Sequence, residues 1–113
     1  MPSPTSDPLL ALRDALREFA DARDWDQFHS PKNLAAALAV EAAELLEHYQ
    51  WSETASDPAK VREELADVLL YLIRLADKLD VDLAAAARDK IALNAKKYPV
   101  EKARGRATKY DKL

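Results

Sequence analysis

Apolar residues recur every three or four positions along most of this chain. Leu9, Leu12, Leu16, Phe19 and Ala20 follow that spacing first and predict a helix from Pro8 to about Ala22 with one face to bury. A second such stretch runs from about Pro31 to Tyr49, its stripe centred on Leu38, Ala42, Leu45 and Tyr49. A third runs from about Pro58 to Leu79, with Val61, Leu65, Val68, Leu69, Leu72 and Ala76 on the apolar side. Asp7-Pro8, Ser30-Pro31 and Asp57-Pro58 each place a capping side chain before a proline, the signature of a helix start. A fourth helix begins after Asp82 and carries Leu83, Ala87, Ile91 and Ala95. It ends near Tyr98, because the residue before Pro99 is pushed out of the helical region. Residues 1–7 read as a disordered N-terminus, 8–99 as a helical domain, and 100–113 as an irregular basic tail.

Composition supports the same picture. The 113 residues suffice for one ordinary domain, and 22 Ala and 17 Leu against 5 Val and 2 Ile favour helix over strand. The single glycine, Gly105, leaves no material for a glycine-rich phosphate loop. The expected fold is all-α, a four-helix bundle. Because alanine-rich helices bury little area, the second and third should bury more in a homo-oligomer. A net charge of -3 argues against a nucleic-acid partner, and no apolar run is long enough to span a membrane. The absence of cysteine fits a cytoplasmic protein and excludes thiolate metal sites.

Candidate chemistry lies in four acids. Glu41 and Glu44 on the second helix, and Glu64 and Asp67 on the third, are spaced three apart, so each pair stacks on one helix surface. Glu41 is expected beside Leu34 at the margin of the apolar stripe, with Glu44 a step further round. Glu64, Asp67 and Tyr71 should gather along one flank of the third helix. Like charges brought together at the edge of a core need a proton or a cation to relieve them. All-oxygen ligation suits Mg²⁺, with Mn²⁺ as a substitute. A di-iron site would want Glu-x-x-His, whereas His48 follows Glu44 by four. Bound Mg²⁺ commonly receives substrate phosphates, for which Lys90, Asn94 and Lys97 offer donors on one side of the fourth helix. Trp25 and Trp51 stand outside the regular stripes, where stacking on a nucleobase would give them a purpose, with Gln27, His29 or Asn33 at the base edge. The competing reading of the same residues is a non-catalytic helical interaction module.

The ordered run of motifs is more specific than any of its parts. Arg23-Asp24-Trp25-Asp26-Gln27-Phe28-His29-Ser30-Pro31-Lys32-Asn33-Leu34 is followed by Glu41-Ala42-Ala43-Glu44-Leu45 and Gln50-Trp51. Glu63-Glu64-Leu65-Ala66-Asp67-Val68-Leu69-Leu70-Tyr71-Leu72 comes next, then Lys90-Ile91, Asn94 and Lys97-Tyr98-Pro99. This series resembles the MazG-like all-α nucleoside triphosphate pyrophosphohydrolases, and among them the dCTP pyrophosphatases, from about Leu9 to Tyr110. The resemblance implies a MazG-like bundle assembled as a tetramer, or as a dimer of the same build. It also implies Mg²⁺ on Glu41, Glu44, Glu64 and Asp67, and hydrolysis of a nucleoside triphosphate to monophosphate and pyrophosphate. By the same resemblance Lys90, Asn94 and Lys97 bind phosphate, while Trp25, His29, Trp51 and Tyr71 shape the base and sugar pocket. Glu41 or Glu44 would take the proton from the attacking water. Two features depart from the pattern: the segment between Trp51 and Glu63 is shorter than in the animal enzymes, and Leu16 replaces a polar, base-contacting side chain. Other non-canonical triphosphates are the alternative substrates.

Overall fold

The computed structural model describes residues 7–113; apart from Asp7, the N-terminal stretch expected to be disordered lies outside the described residues. The described residues are helical, with no strand among them: α1 (Pro8–Ala22), α2 (Pro31–Glu47), α3 (Pro58–Lys78), α4 (Leu83–Lys97) and α5 (Val100–Ala103), plus 3₁₀ turns at Asp26–Phe28 and Tyr110–Lys112. The chain forms two compact units, one ending at Val81 and the other comprising Asp82–Leu113.

The capping residues act as their positions predict. Asp7 accepts from the Leu9 amide at 2.9 Å, Ser30 from Asn33 at 3.1 Å, Asp57 from Lys60 at 3.3 Å and Asp82 from Ala85 at 3.0 Å. α2 stops two residues short of Tyr49. The amides of His48, Tyr49 and Gln50 bond three residues back, to Leu45, Leu46 and Glu47, tightening the chain out of the α-helix. With no glycine nearby, α1 and α3 end on aspartates in the left-handed region, Asp24 at φ 54° and Asp80 at φ 56°. Each end closes the same way: Trp25 N–H donates to Ala20 O, and Val81 N–H to Ala76 O, both at 2.9 Å.

In the first unit α2 and α3 pack as an antiparallel hairpin, and α1 lies against α3. Among the described residues its buried apolar side chains are Ala20, Leu34, Ile73 and Ala76. The predicted stripe of α2 is rotated. Ala42 and Tyr49 are exposed, and the inward line runs through Leu34, Leu38, Glu41, Leu45 and His48, with Glu44 beside it. Glu41 therefore sits on the buried face rather than at its margin. On α3, Leu65 and Leu69 are exposed and the burial is carried by Ile73, Arg74 and Ala76.

The second unit differs from expectation in two ways. No residue of α4 is fully buried and Ile91 is 70 % exposed; of the stripe expected there, Leu83 is half-buried while Ala87, Ile91 and Ala95 lie open. The tail is not wholly irregular: Pro99 starts the single turn of α5, and a 3₁₀ turn brings Tyr110 edge-on to Tyr98, with centroids 6.1 Å apart.

An ionic clasp joins α1 to α3. Arg17 grips Asp77 through two parallel hydrogen bonds, Nε to Oδ2 at 2.8 Å and Nη2 to Oδ1 at 2.5 Å. The bond and charge of Arg17, with further charge from Arg74 and Arg13, hold the Asp77 carboxyl below its ordinary pKa against the opposing effect of burial. A depressed carboxylate stabilises the fold above its unfolded pKa and loses that contribution as pH falls toward the folded value. Asp77→Asn should cost about 1–3 kcal/mol at neutral pH and flatten the acid limb below about pH 4. Chemical denaturation of both proteins from pH 7 to pH 3 checks this, and equal losses on acidification would contradict it.

Candidate active site

The hairpin brings together the four acids singled out by spacing. Glu41 lies among Glu44, Glu64 and Asp67, and its carboxyl is pushed above the usual range. Burial is the largest cause, followed by a hydrogen bond shared with Glu44 and by the negative charge of Glu44, Asp67 and Glu64. Glu41 Oε2 is buried without a hydrogen-bond partner among the described residues. Among the described residues no Lys or Arg of the first unit forms a salt bridge to any of the four; Arg13, Arg17, Lys60, Arg74 and Lys78 pair instead with Asp14, Asp26, Glu63 and Asp77. The one basic neighbour is His48, whose Nε2 stands 2.6 Å from Glu64 Oε2 while Nδ1 lies 3.2 Å from Ser56 Oγ. His48 was legible as a candidate, since it follows Glu44 by one turn.

A hard dication fits this donor set: all oxygen, with Glu41, Glu44 and Glu64 half-buried, Asp67 exposed, and Glu41 Oε2 lacking a partner. No three His, Asp or Glu side chains among the described residues are gathered closely enough to enclose an ion, and mutual repulsion of the carboxylates opposes such a gathering.

Beside the acids, α1 and α3 enclose a cleft of about 410 Å³. Leu12, Leu16, Phe19 and Leu34 make it apolar, Trp25, His29 and Tyr71 line it, and Asp67 belongs to both the acidic group and the cleft. Trp25 is held edge-on to Phe19 with ring centroids 5.6 Å apart. The cleft also contains a residue the spacing argument passed over: Arg74, only 6 % exposed. Its signal was a lone charge in the run Leu69-Leu70-Tyr71-Leu72-Ile73-Arg74-Leu75, one turn after Tyr71.

The remaining candidates separate. Asn33 donates to Phe28 O at 3.0 Å, and Gln27 donates to Asp24, so both are engaged in local structure. Trp51 is 89 % exposed and is not part of the cleft lining. Lys90, Asn94 and Lys97 belong to the second unit. There Asn94 and Lys97 are half-buried, and Lys97 Nζ lies 4.9 Å from the Tyr110 ring centroid.

Comparison with known proteins identifies the family. The sequence profile of the MazG-like family matches residues 36–113. The chain is 44 % identical to dCTP pyrophosphatase 1 of Mus musculus and 41 % identical to that of Homo sapiens, each time over 99 % of its own length and 69 % of the relative's. Among solved structures, a pyrophosphatase from Archaeoglobus fulgidus DSM 4304 superposes with a TM-score of 0.74 at 41 % identity, covering 79 % of this chain and 90 % of that one. The family is in general metal-dependent, as an unrelieved group of carboxylates would require. The chain belongs to the MazG-like family and is a nucleotide pyrophosphohydrolase.

Proposed function

We propose that the substrate is dCTP or a modified dCTP, cleaved to the monophosphate and pyrophosphate, with Mg²⁺ on Glu41, Glu44, Glu64 and Asp67 and Mn²⁺ as a working substitute. One observation carries the reading: Asp67 borders both the acidic group and the apolar cleft of Trp25, His29 and Tyr71, so phosphate chemistry and a base pocket meet at one residue. The names of the relatives supply the base.

Bound Mg²⁺ would supply charge neutralisation for the polyphosphate and its pyrophosphate leaving group. The protein's own groups supply the rest. Glu41, whose carboxyl has raised proton affinity, is suited to take the proton from water attacking the α-phosphorus, with Glu44 its hydrogen-bonded partner. Attack there breaks the bond to the oxygen bridging the α and β phosphorus atoms. Trp25 offers a face for the base, and Tyr71, one turn after Asp67, crowds a 2′-hydroxyl. Lys90, Asn94 and Lys97 are assigned to the phosphates by the family resemblance and by their common side of α4. A cysteine-free chain working on free nucleotides suits the cytoplasm.

A second copy of the chain is the natural cover for the faces left open. Val40 and Leu46 of α2 and Leu65 of α3 are each more than half exposed, and Leu69 is 38 % exposed. Four buried apolar residues are a small core for the first unit. A tetramer is the expected assembly, with a dimer of the same build as the smaller form. Light scattering at micromolar concentration should give one of these masses, and Leu65→Asp should shift it downward; a monomeric parent would end this part of the proposal.

Pyrophosphate release should be measured over a panel of dCTP, 5-substituted dCTP, CTP, dUTP and non-canonical triphosphates. A preference for one of the latter would move the substrate assignment while leaving the reaction intact. Glu41→Gln should lose at least about a hundredfold in turnover. Without metal it should melt no lower than the parent, because it removes a charge from an unrelieved acidic group. Mg²⁺ at about a hundredfold excess over Kd should stabilise the parent by about 2.7 kcal/mol and the variant by much less. A parent whose melting temperature ignores Mg²⁺ would favour the interaction-module reading.

A further inference from the structure

Arg74 is the buried charge in the cleft, and each edge of its guanidinium is occupied. Nε donates to His29 Nδ1 at 3.1 Å, Nη2 to Asp26 Oδ1 at 2.7 Å, and Nη1 reaches Asp77 Oδ2 at 3.5 Å. Lys78 also binds Asp26, and Arg17 also binds Asp77. The bond to His29 has a fixed direction. A guanidinium keeps its protons and cannot accept, so Nδ1 must be the acceptor, and a neutral imidazole accepting there carries its hydrogen on Nε2. Burial, reinforced by the positive charges of Arg74 and Lys78, holds the ring below its ordinary pKa despite Asp26, so the neutral form prevails. Among the described residues Nε2 makes no hydrogen bond within the protein.

A largely apolar cleft with an oriented donor selects its ligand by where that ligand offers an acceptor. The pyrimidines differ at ring position 3. Cytosine has a bare nitrogen there, whereas uracil and thymine carry a hydrogen, which would face the His29 N–H donor to donor. We propose that Arg74 is a positioning residue that fixes His29 as an Nε2–H donor to the bare N3 of a cytosine ring, so that the cleft accepts cytosine and disfavours uracil and thymine. This rests on the reading of the cleft as the base pocket. Leu16 supplies no polar contact to a base, so edge recognition falls to the polar groups of the lining, His29 among them.

Arg74→Met tests it, because Asp26 keeps Lys78 and Asp77 keeps Arg17. The KM for dCTP should rise about tenfold with kcat nearly unchanged, and the preference for dCTP over dUTP should fall about tenfold. Nitrogen-15 spectra of the intact enzyme should show His29 as the Nε2–H tautomer in the parent and as a mixture in the variant. Arg74→Met combined with His29→Gln should have the KM of His29→Gln alone, since the arginine acts through the ring. A parent ring that is Nδ1–H or charged at neutral pH overturns the inference, and that spectrum decides even if the variant fails to fold. An unchanged ratio of dCTP to dUTP alongside an altered tautomer overturns it too. Trp25→Ala separates the two levels. If it raises the KM for dCTP while Arg74→Met leaves selectivity intact, only the tautomer lock fails; if it also leaves KM unchanged, the cleft is not the base pocket.

Discussion

Four carboxylates held on facing turns of α2 and α3 repel one another, and the rest of the first unit is arranged around tolerating that repulsion. Glu41 takes a place on the inward face of α2 where a leucine would have contributed core. The unit gives up apolar burial and incurs like-charge strain at the same position. Structural acids elsewhere in the unit are treated differently. Asp77 is gripped by Arg17, and Asp26 is shared between Arg74 and Lys78. Cations are therefore available in that unit and are placed elsewhere, as the proposed ligand site would need.

α3 organises what surrounds that group. Glu64, Asp67, Tyr71 and Arg74 follow one another at intervals of three, four and three, close to a single line along the helix. From Glu64 to Arg74 the rise is about 15 Å, comparable to an extended nucleotide. Acidic, aromatic and cationic groups thus succeed one another in the order that phosphate, sugar and base would need. Because a rigid helix sets their spacing, Arg17 on Asp77 contributes to the site indirectly by seating α1 against the end of α3 that carries Arg74.

Much of this was legible in the sequence, and the parts that were not share a cause. Helix starts were read within a residue because Asp7, Ser30 and Asp57 before prolines state them in local chemistry. The acidic pairs were proposed from spacing alone. The phase of the α2 stripe was misjudged because a binary pattern assigns every carboxylate to the outside. Fitting Leu38, Ala42, Leu45 and Tyr49 rotated the face away from Glu41, whose burial depends on α3. Arg74 escaped for the same reason, since a buried arginine is stabilised by Asp26 and His29, both more than forty residues earlier in the chain. The tight ends of α1 and α3 were unforeseen because aspartate, not glycine, adopts the left-handed turn.

Trp51 shows where reasoning from one copy of the chain reaches its boundary. A tryptophan 89 % exposed, in the loop joining the two helices that carry the acids, contributes nothing to the cleft of its own chain. Large aromatic surface left in water at such a position gains stability only when something covers it. Val40, Leu46, Leu65 and Leu69 are uncovered on the same two helices. One cover for all of them, a second copy, would complete the small core and bury the tryptophan together. Assembly and catalysis would then depend on the same hairpin, and the thin core of the single chain would follow from a division of burial between copies.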